Sequence, residues 1–335
     1  MPLPESPVRP ACDAMQHLSG SRSMPLTWAE LDADYALKLP TLFHPCLDAL
    51  TAVITDAFDL FGMGRRGIAP ITHLVELSAS GAPLALGRAL ELRYRIELFR
   101  ARLPAGRGGA ARERLLLDQR IALHGFRRSG GATALGFDDG RGAPLEAGAF
   151  RLLQVFTRPF APPAERQVLE VPEEFRALRE QPLAGPPPSL ERLWAEPPGQ
   201  RDVTPPGVLP LPRVWGRGHT DINHHVTVAE YLRLLETSGV TLLHAAALPV
   251  AAHRTARLTC LFRRPFYAGD VCAVQGRLLH GPLPDAPQAG GTLPGASPGG
   301  SGTLLLAGVY RRGPDGALED EPSVATRLEG ELAPA

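Results

Sequence analysis

Residues 219 to 236, HTDINHHVTVAEYLRLLE, place an Asp, an Asn and three His directly ahead of an amphipathic helical period. A loop that delivers polar side chains to the start of a buried helix puts them where negative charge is favoured. Three chemistries are open to such a cluster. Asp221 is a candidate general base or nucleophile, with Asn223 and His225 beside it. Asp221 and Asn223 are also preferred helix caps. His219, His224 and His225 with Asp221 have the atoms to ligate a metal, but no H-E-x-x-H or similar ordering supports that use. Glu236 lies ten residues beyond Val226, nearly three turns into the helix. Cys260, on a later strand, reads as a small buried hydrophobe unless its strand lines a pocket.

The bulk properties narrow the setting. A chain of 335 residues with 44% apolar content is long enough for two domains, each with its own core. Lys plus Arg and Asp plus Glu balance at 35 each, so no net field attracts a polynucleotide or an anionic membrane. Lys38 is the single lysine. Cys12, Cys46, Cys260 and Cys272 are far apart without C-x-x-C spacing, which argues against a zinc site or a disulfide framework. The expectation is a cytoplasmic protein with no metal or cofactor. The first two dozen residues lack the apolar core of a signal peptide, and no apolar run is long enough to span a bilayer.

The elements that must position the cluster follow from periodicity. Residues 1–25 are Pro- and Ser-rich and read as a disordered leader. Tyr35 to Phe43 reads as an extended lead-in strand, and Leu47, Leu50, Val53, Ile54, Ala57, Phe58 and Phe61 fall at helical spacing up to Gly62 or Gly64. Strands are expected over 68–80, 85–103, 113–128 and 131–140. In the second of these, Leu90, Leu92, Tyr94, Ile96 and Leu98 alternate with Glu91, Arg93, Arg95 and Glu97, giving one wet face. Residues 161–210 form a Pro-rich linker with a helical candidate at 173–179.

The same order then returns. A lead-in strand over 211–218 precedes a long helix over 226–248, with Val228, Leu232, Leu235, Val240, Leu242 and Leu243 as expected core. Strands over 254–265, 269–280 and 303–313 follow, interrupted by a low-complexity insertion at 281–302. The acidic tail after 313 is expected to fray. Two halves with one order of elements, 26–160 and 211–313, predict an α+β chain built by internal duplication. Each half holds a long helix against a curved antiparallel sheet, and the two sheets can join at their edges. Two unrelated α+β domains are the alternative.

Residues 220–236, TDINHHVTVAEYLRLLE, resemble the motif of the hotdog-fold acyl thioesterases, the broad family that includes 4-hydroxybenzoyl-CoA thioesterase and the plant acyl-ACP thioesterases. That motif runs roughly D-x-D-x-x-x-H-V-N-N-x-x-Y-L-x-x-x-E, and D-x-N-x-H-V-N-N in the acyl-ACP branch. Asp221, Asn223, His225, Val226, Tyr231, Leu232 and Glu236 fall on its positions. Downstream, LFRRPFYAGDVCAVQGRLL resembles the family's next strand pair. Two departures stand out: His219 occupies the place of the first Asp, and Thr227 and Val228 replace the Asn-Asn pair. The first half carries His44 but no Asp-x-Asn-x-His, so the resemblance implies a double hotdog whose N-terminal half is degenerate.

The resemblance implies an enzyme that hydrolyses acyl-CoA or acyl-ACP thioesters. Asp221 would activate water or attack the carbonyl, and Asn223 and His225 would position water and thioester. Backbone N–H groups from Val226 to Val228 would meet the oxyanion, with Thr227 and Tyr231 lining the substrate path. Arg263 and Arg264 would contact the phosphates of CoA or of a carrier's prosthetic arm. Glu236 completes the motif and the implied catalytic set. Two rivals share the fold: a hydratase, whose D-x-N-P-x-H pattern D-I-N-H-H partly matches, and a non-catalytic acyl-thioester binder. A homodimer is compatible with either.

Overall fold

The computed structural model describes residues 15–103, 112–128, 142–185, 187–209, 211–221, 224–282 and 301–332. The first half contains β1 (Leu18–Met24), α1 (Leu39–Ala57), α2 (Leu60–Arg65), β2 (Ala69–Ala79), β3 (Leu90–Leu103), β4 (Arg112–Phe126) and β5 (Pro144–Thr157). The linker contributes β6 (Glu180–Pro182), α3 (Leu190–Leu193) and β7 (Arg201–Asp202). The second half contains β8 (Leu211–Val214), α4 (Val228–Ala245), β9 (His253–Phe262), β10 (Val271–Pro282), β11 (Ser301–Arg311) and β12 (Val324–Leu332). The described strands form one sheet in the order β1-β3-β4-β5-β2-β9-β12-β11-β10-β7, with β6 beside β3 and β8 beside β10.

The halves join where β2 and β9 run antiparallel, from Leu74 opposite Leu261 to Ser78 opposite Arg257. This pairing removes two open sheet edges and makes one continuous apolar face. Both long helices share a single core on that face. Leu42, Leu50 and Val53 of α1 and Leu232, Leu235 and Leu242 of α4 are buried with Phe150, Leu152, Leu258 and Leu305 of the strands. No helix among the described residues is long and apolar enough to cross a membrane.

Several sequence expectations need correction. Tyr35 to Phe43 is not a strand throughout, because α1 begins at Leu39 and ends at Ala57. Proline is favoured in a helix's first turn, as at Pro40, and the buried set Leu39, Leu42, Phe43, Cys46, Leu50, Val53 and Ile54 has a helical period that continues through Pro45. Part of the expected leader is a strand: Leu18–Met24 lies at an edge and pairs with β3 through its backbone, so its mostly exposed side chains need no apolar period, while residues 1–14 lie outside the described residues. The helical candidate at 173–179 reduces to one turn, Glu173–Phe175, with Phe175 fully buried and stacked on Phe58.

The tail does not fray. β12 is an interior strand between β9 and β11, which extends the second half to Leu332. Its charges are neutralised locally, with Arg327 donating to Glu329 at 2.7 Å and Arg257 reaching the same carboxylate at 3.5 Å. β5 was not anticipated, while the strand expected over 131–140 and most of the 281–302 insertion lie outside the described residues. Val240 is not core but 42% exposed, on the side of α4 that meets the start of α1.

Two histidines flank the junction, His73 on β2 and His253 at the start of β9. Burial lowers both to about 4, helped at His73 by the charge of Arg114. A folded-state value below the unfolded one contributes stability above pH 6.5 that is lost as pH falls towards 4. The loss at its acid limit is at most about 3 kcal/mol per histidine. Urea midpoints should therefore fall between pH 6.5 and 4, and a His73→Asn/His253→Gln protein should show a shallower fall. An equal slope in both proteins would rule these residues out as the cause.

Candidate active site

The loop ahead of α4 is held from both sides. Trp215 is fully buried; its N–H donates to the Asp270 carbonyl at 3.1 Å, and its own carbonyl accepts from Gly269 at 2.7 Å. Thr220 and Val226 form an antiparallel bridge that brings Asp221 and His225 into one turn. Within the turn the Asp221 N–H donates to the His225 carbonyl at 2.9 Å, and the His224 N–H to the Asp221 carbonyl at 3.0 Å. Asp221 Oδ1 accepts from the His225 N–H at 3.2 Å, and the residue as a whole is exposed. His224 takes φ 63°, a left-handed conformation that costs a non-glycine residue of order 1 kcal/mol. Asn223 lies outside the described residues.

His225 is half-buried, with its ring edge-on to Tyr267 at 5.2 Å and its backbone bridged to that residue. Val226 is buried and donates to the Phe266 carbonyl at 2.8 Å; the Thr227 N–H donates to the His219 carbonyl at 2.9 Å. Thr227 is the N-cap of α4, yet its hydroxyl makes no capping hydrogen bond, and Val228 opens the helix. Glu230 supplies the acidic residue favoured in a first turn and is held by Arg233 at 2.7 Å and Arg213 at 3.6 Å. His219 Nδ1 accepts from the Gly216 N–H at 2.9 Å, and Nε2 lies 3.1 Å from Arg213. Among the described residues no group of three His, Cys, Asp or Glu is placed to hold a metal ion.

The other residues of the motif occupy different positions. Tyr231 is buried among Trp215, Phe262 and Phe266, and its hydroxyl accepts from the Phe266 N–H at 3.1 Å. Burial pushes its phenol well above the usual range. It therefore belongs to the scaffold that fixes the Phe266–Tyr267 loop against α4. Arg263 and Arg264 are committed to ion pairs, with Glu321 at 2.6 Å and Glu319 at 3.1 Å. Cys260 is fully buried, Sγ 3.3 Å from Thr326 Oγ1, and burial raises its thiol to about 12. A thiol so placed is inert.

Glu236 is eight residues beyond Val228, about 12 Å along the helix. It opens instead on a cavity of about 230 Å³ in the seam between the halves, bounded by α4, the start of α1 and the β9–β12 face. Burial raises its carboxyl, against the opposing charge of Lys38. The structure thus gathers Asp221, His225, Val226, Thr227 and Val228 at the mouth of α4 and sets Glu236 apart. Tyr267 was missed by the sequence reading, although the aromatic pair in RPFYAGD marked the segment. Lys38, His253 and Thr303, which also line the seam cavity, carry no local motif.

No protein-family model matches the chain, and no curated protein matches its sequence. Solved structures do resemble it. A protein of Lactobacillus plantarum assigned as an oleoyl thioesterase matches with TM-score 0.54 and 12% identity over 95% of this chain and 98% of that one. An acyl-ACP thioesterase of Bacteroides thetaiotaomicron matches with TM-score 0.52 and 12% identity over 93% and 98%. The 12:0-ACP thioesterase of Umbellularia californica gives 0.50 and 13% over 94% of each chain. At this identity the likeness establishes the fold: the chain is an α+β double hotdog, like these thioesterases.

Two substitutions test the scaffold. Tyr231→Phe leaves the buried Phe266 N–H without its acceptor and should cost about 1–3 kcal/mol in urea unfolding; no loss would mean that the N–H is satisfied otherwise. Gly239 lies inside α4, where a Cβ would meet only Leu305, at an ordinary 3.4 Å. Gly239→Ala should accordingly raise stability by about 1 kcal/mol, measurable in the same titration, and a destabilised variant would contradict the geometry.

Proposed function

We propose that the chain is an acyl thioesterase acting on acyl-CoA or acyl-ACP in the cytoplasm, with its site at the mouth of α4. Each half is read as a hotdog unit, a long helix wrapped by curved sheet, and the N-terminal half as a degenerate scaffold without the motif. The observation that carries the proposal is the turn at 221–225, in which Asp221 and half-buried His225 stand directly before an N-cap whose hydroxyl leaves the helix start uncapped.

In this reading the Asp221 carboxylate takes a proton from water as the water oxygen bonds to the thioester carbon. The oxyanion is met by first-turn N–H groups of α4 from Val228 onward, since those of Val226 and Thr227 already donate to Phe266 and His219, and there the helix dipole favours negative charge. The C–S bond then breaks, and the thiolate recovers the proton from Asp221, leaving a free acid and a thiol. His225, steadied by Tyr267, positions the thioester together with Asn223. His44 lies exposed on α1 in the first half; the turn ahead of that helix repeats the Asp221 turn, with Leu31 bridged to Leu37, the Asp32 N–H donating to the Ala36 carbonyl at 2.9 Å and Asp32 Oδ1 accepting from the Ala36 N–H at 2.9 Å, but Ala36 stands where His225 does in the second half.

Purified protein incubated with a panel of acyl-CoAs and a thiol reagent should release CoA. Asp221→Asn should reduce kcat about 10²–10⁴-fold, the usual contribution of a positioned base. Full activity in that variant would sink the mechanism. Loss of enoyl-CoA absorbance without CoA release would identify a hydratase instead, and binding without turnover a carrier.

A further inference from the structure

The seam cavity is separate from the mouth of α4, and three features suit it to a ligand rather than to packing. Gly239 is the first. Neither its backbone conformation nor a close approach demands glycine, so what it leaves is space between α4 and the Leu305 floor. Glycine inside a helix is destabilising relative to alanine, a cost that the cavity explains.

The second feature lies on the sheet beneath. Thr303 on β11 is 1% exposed, and its Oγ1 is 2.8 Å from Nε2 of His253 on β9, two strands away. The strand between them is β12, where Gly330 stands opposite Thr303. A Cβ at Gly330 would overlap the His253 ring. The imidazole therefore crosses β12 through a notch that only glycine provides, and the polar pair sits beside Leu278, Leu305 and Leu328 in a floor to which Arg254 and Thr255 also contribute. Thr303 keeps hydrogen-bonding capacity beyond this one contact, because a hydroxyl has one donor and two lone pairs.

Glu236 is the third. The other acidic group of the lining, Asp32, accepts from the N–H groups of Asp34 and Ala36, and Arg254 is held by Gly81 and Glu331. Among the described residues Glu236 makes neither hydrogen bond nor ion pair, although its carboxyl lines a largely apolar space. Lys38 in the same lining supplies an opposing charge but no hydrogen bond; a bare alkyl chain filling the space would still leave the carboxyl without a hydrogen-bond donor, which is costly. A chain carrying a hydroxyl would satisfy it.

We propose that the seam cavity binds the aliphatic chain of a hydroxylated acyl group, whose hydroxyl is read by Glu236 and by the His253–Thr303 pair. The volume of about 230 Å³ holds a chain of medium length, roughly eight groups at about 30 Å³ each, taking the volume of a water molecule as the measure. This assignment rests on the reading of the chain as an acyl thioesterase and narrows its substrates to hydroxyacyl thioesters.

The test is calorimetric binding of free acids to the full chain, with octanoate, 3-hydroxyoctanoate and 8-hydroxyoctanoate as probes. At least one hydroxy acid should bind tenfold or more tighter than octanoate. Thr303→Val, close in shape, should abolish that preference and Thr303→Ser should keep it, while Gly239→Leu should weaken all three acids by filling the cavity. Equal binding of octanoate and both hydroxy acids, a preference that survives Thr303→Val, or full binding by Gly239→Leu would each overturn the assignment. Binding needs no turnover, so the two readings separate. CoA release without a hydroxyl preference removes the pocket assignment alone, and a preference without CoA release removes the hydrolase reading alone.

Discussion

Antiparallel pairing of β2 with β9 is the contact on which the rest of the molecule depends. Leu74, Val75 and Leu77 meet Leu261, Cys260 and Leu258 there, all buried. Without this pairing each half would keep an open edge and half a floor, and neither long helix could bury its apolar side. With it, α1 and α4 lie over one continuous face and pack against each other as well as against the strands. The seam cavity is a product of the same joint, formed where the start of α1 reaches the middle of α4.

The opposite face of the sheet is closed differently. Around the junction a small apolar cluster, Leu74, Leu153, Leu261 and Ala325, is covered by Leu193 and Trp194 of the linker, and the Trp194 indole donates to the Thr326 carbonyl at 3.2 Å. Further out, Asp118 is fully buried yet held by Arg151 at 2.9 Å and by Arg120, while Arg151 also reaches Glu76 at 3.0 Å. These charges span β2, β4 and β5. A buried carboxylate without them would be strongly destabilising, so the network fixes partners and register more than it adds net stability. The linker is thus part of the fold, and it secures the β2–β9 joint from behind.

The two ends of α4 serve different purposes. Its start is ordered by backbone bonds from the Phe266–Tyr267 loop and by the Tyr231 hydroxyl, which leaves Asp221 exposed and His225 against an aromatic edge. Its middle faces a mostly apolar space whose polar lining includes Asp32, Lys38, Glu236 and the His253–Thr303 pair. Glu236 belongs with the second environment although the motif groups it with the first, because the rise of a helix separates residues that are near in sequence.

The sequence by itself determined the repeated order of elements, α4, most strands and the residues at the mouth of α4, since each leaves a local mark: a helical or alternating period, or polar groups ending where that period begins. Tertiary structure alone decided what depends on distant partners. Only the first turns of α1 are hidden, around Pro40 and Pro45, where packing tolerates prolines inside the helix. β1 has no apolar period because it gains its place through backbone pairing at an edge, and β12 looks like an acidic tail because arginines on neighbouring positions and on β9 neutralise it. His253 and Gly330 are far apart in the chain from each other and from Thr303, and the three meet only through the register of three strands. Register is set by the joined sheet as a whole, and no local pattern of residues encodes it.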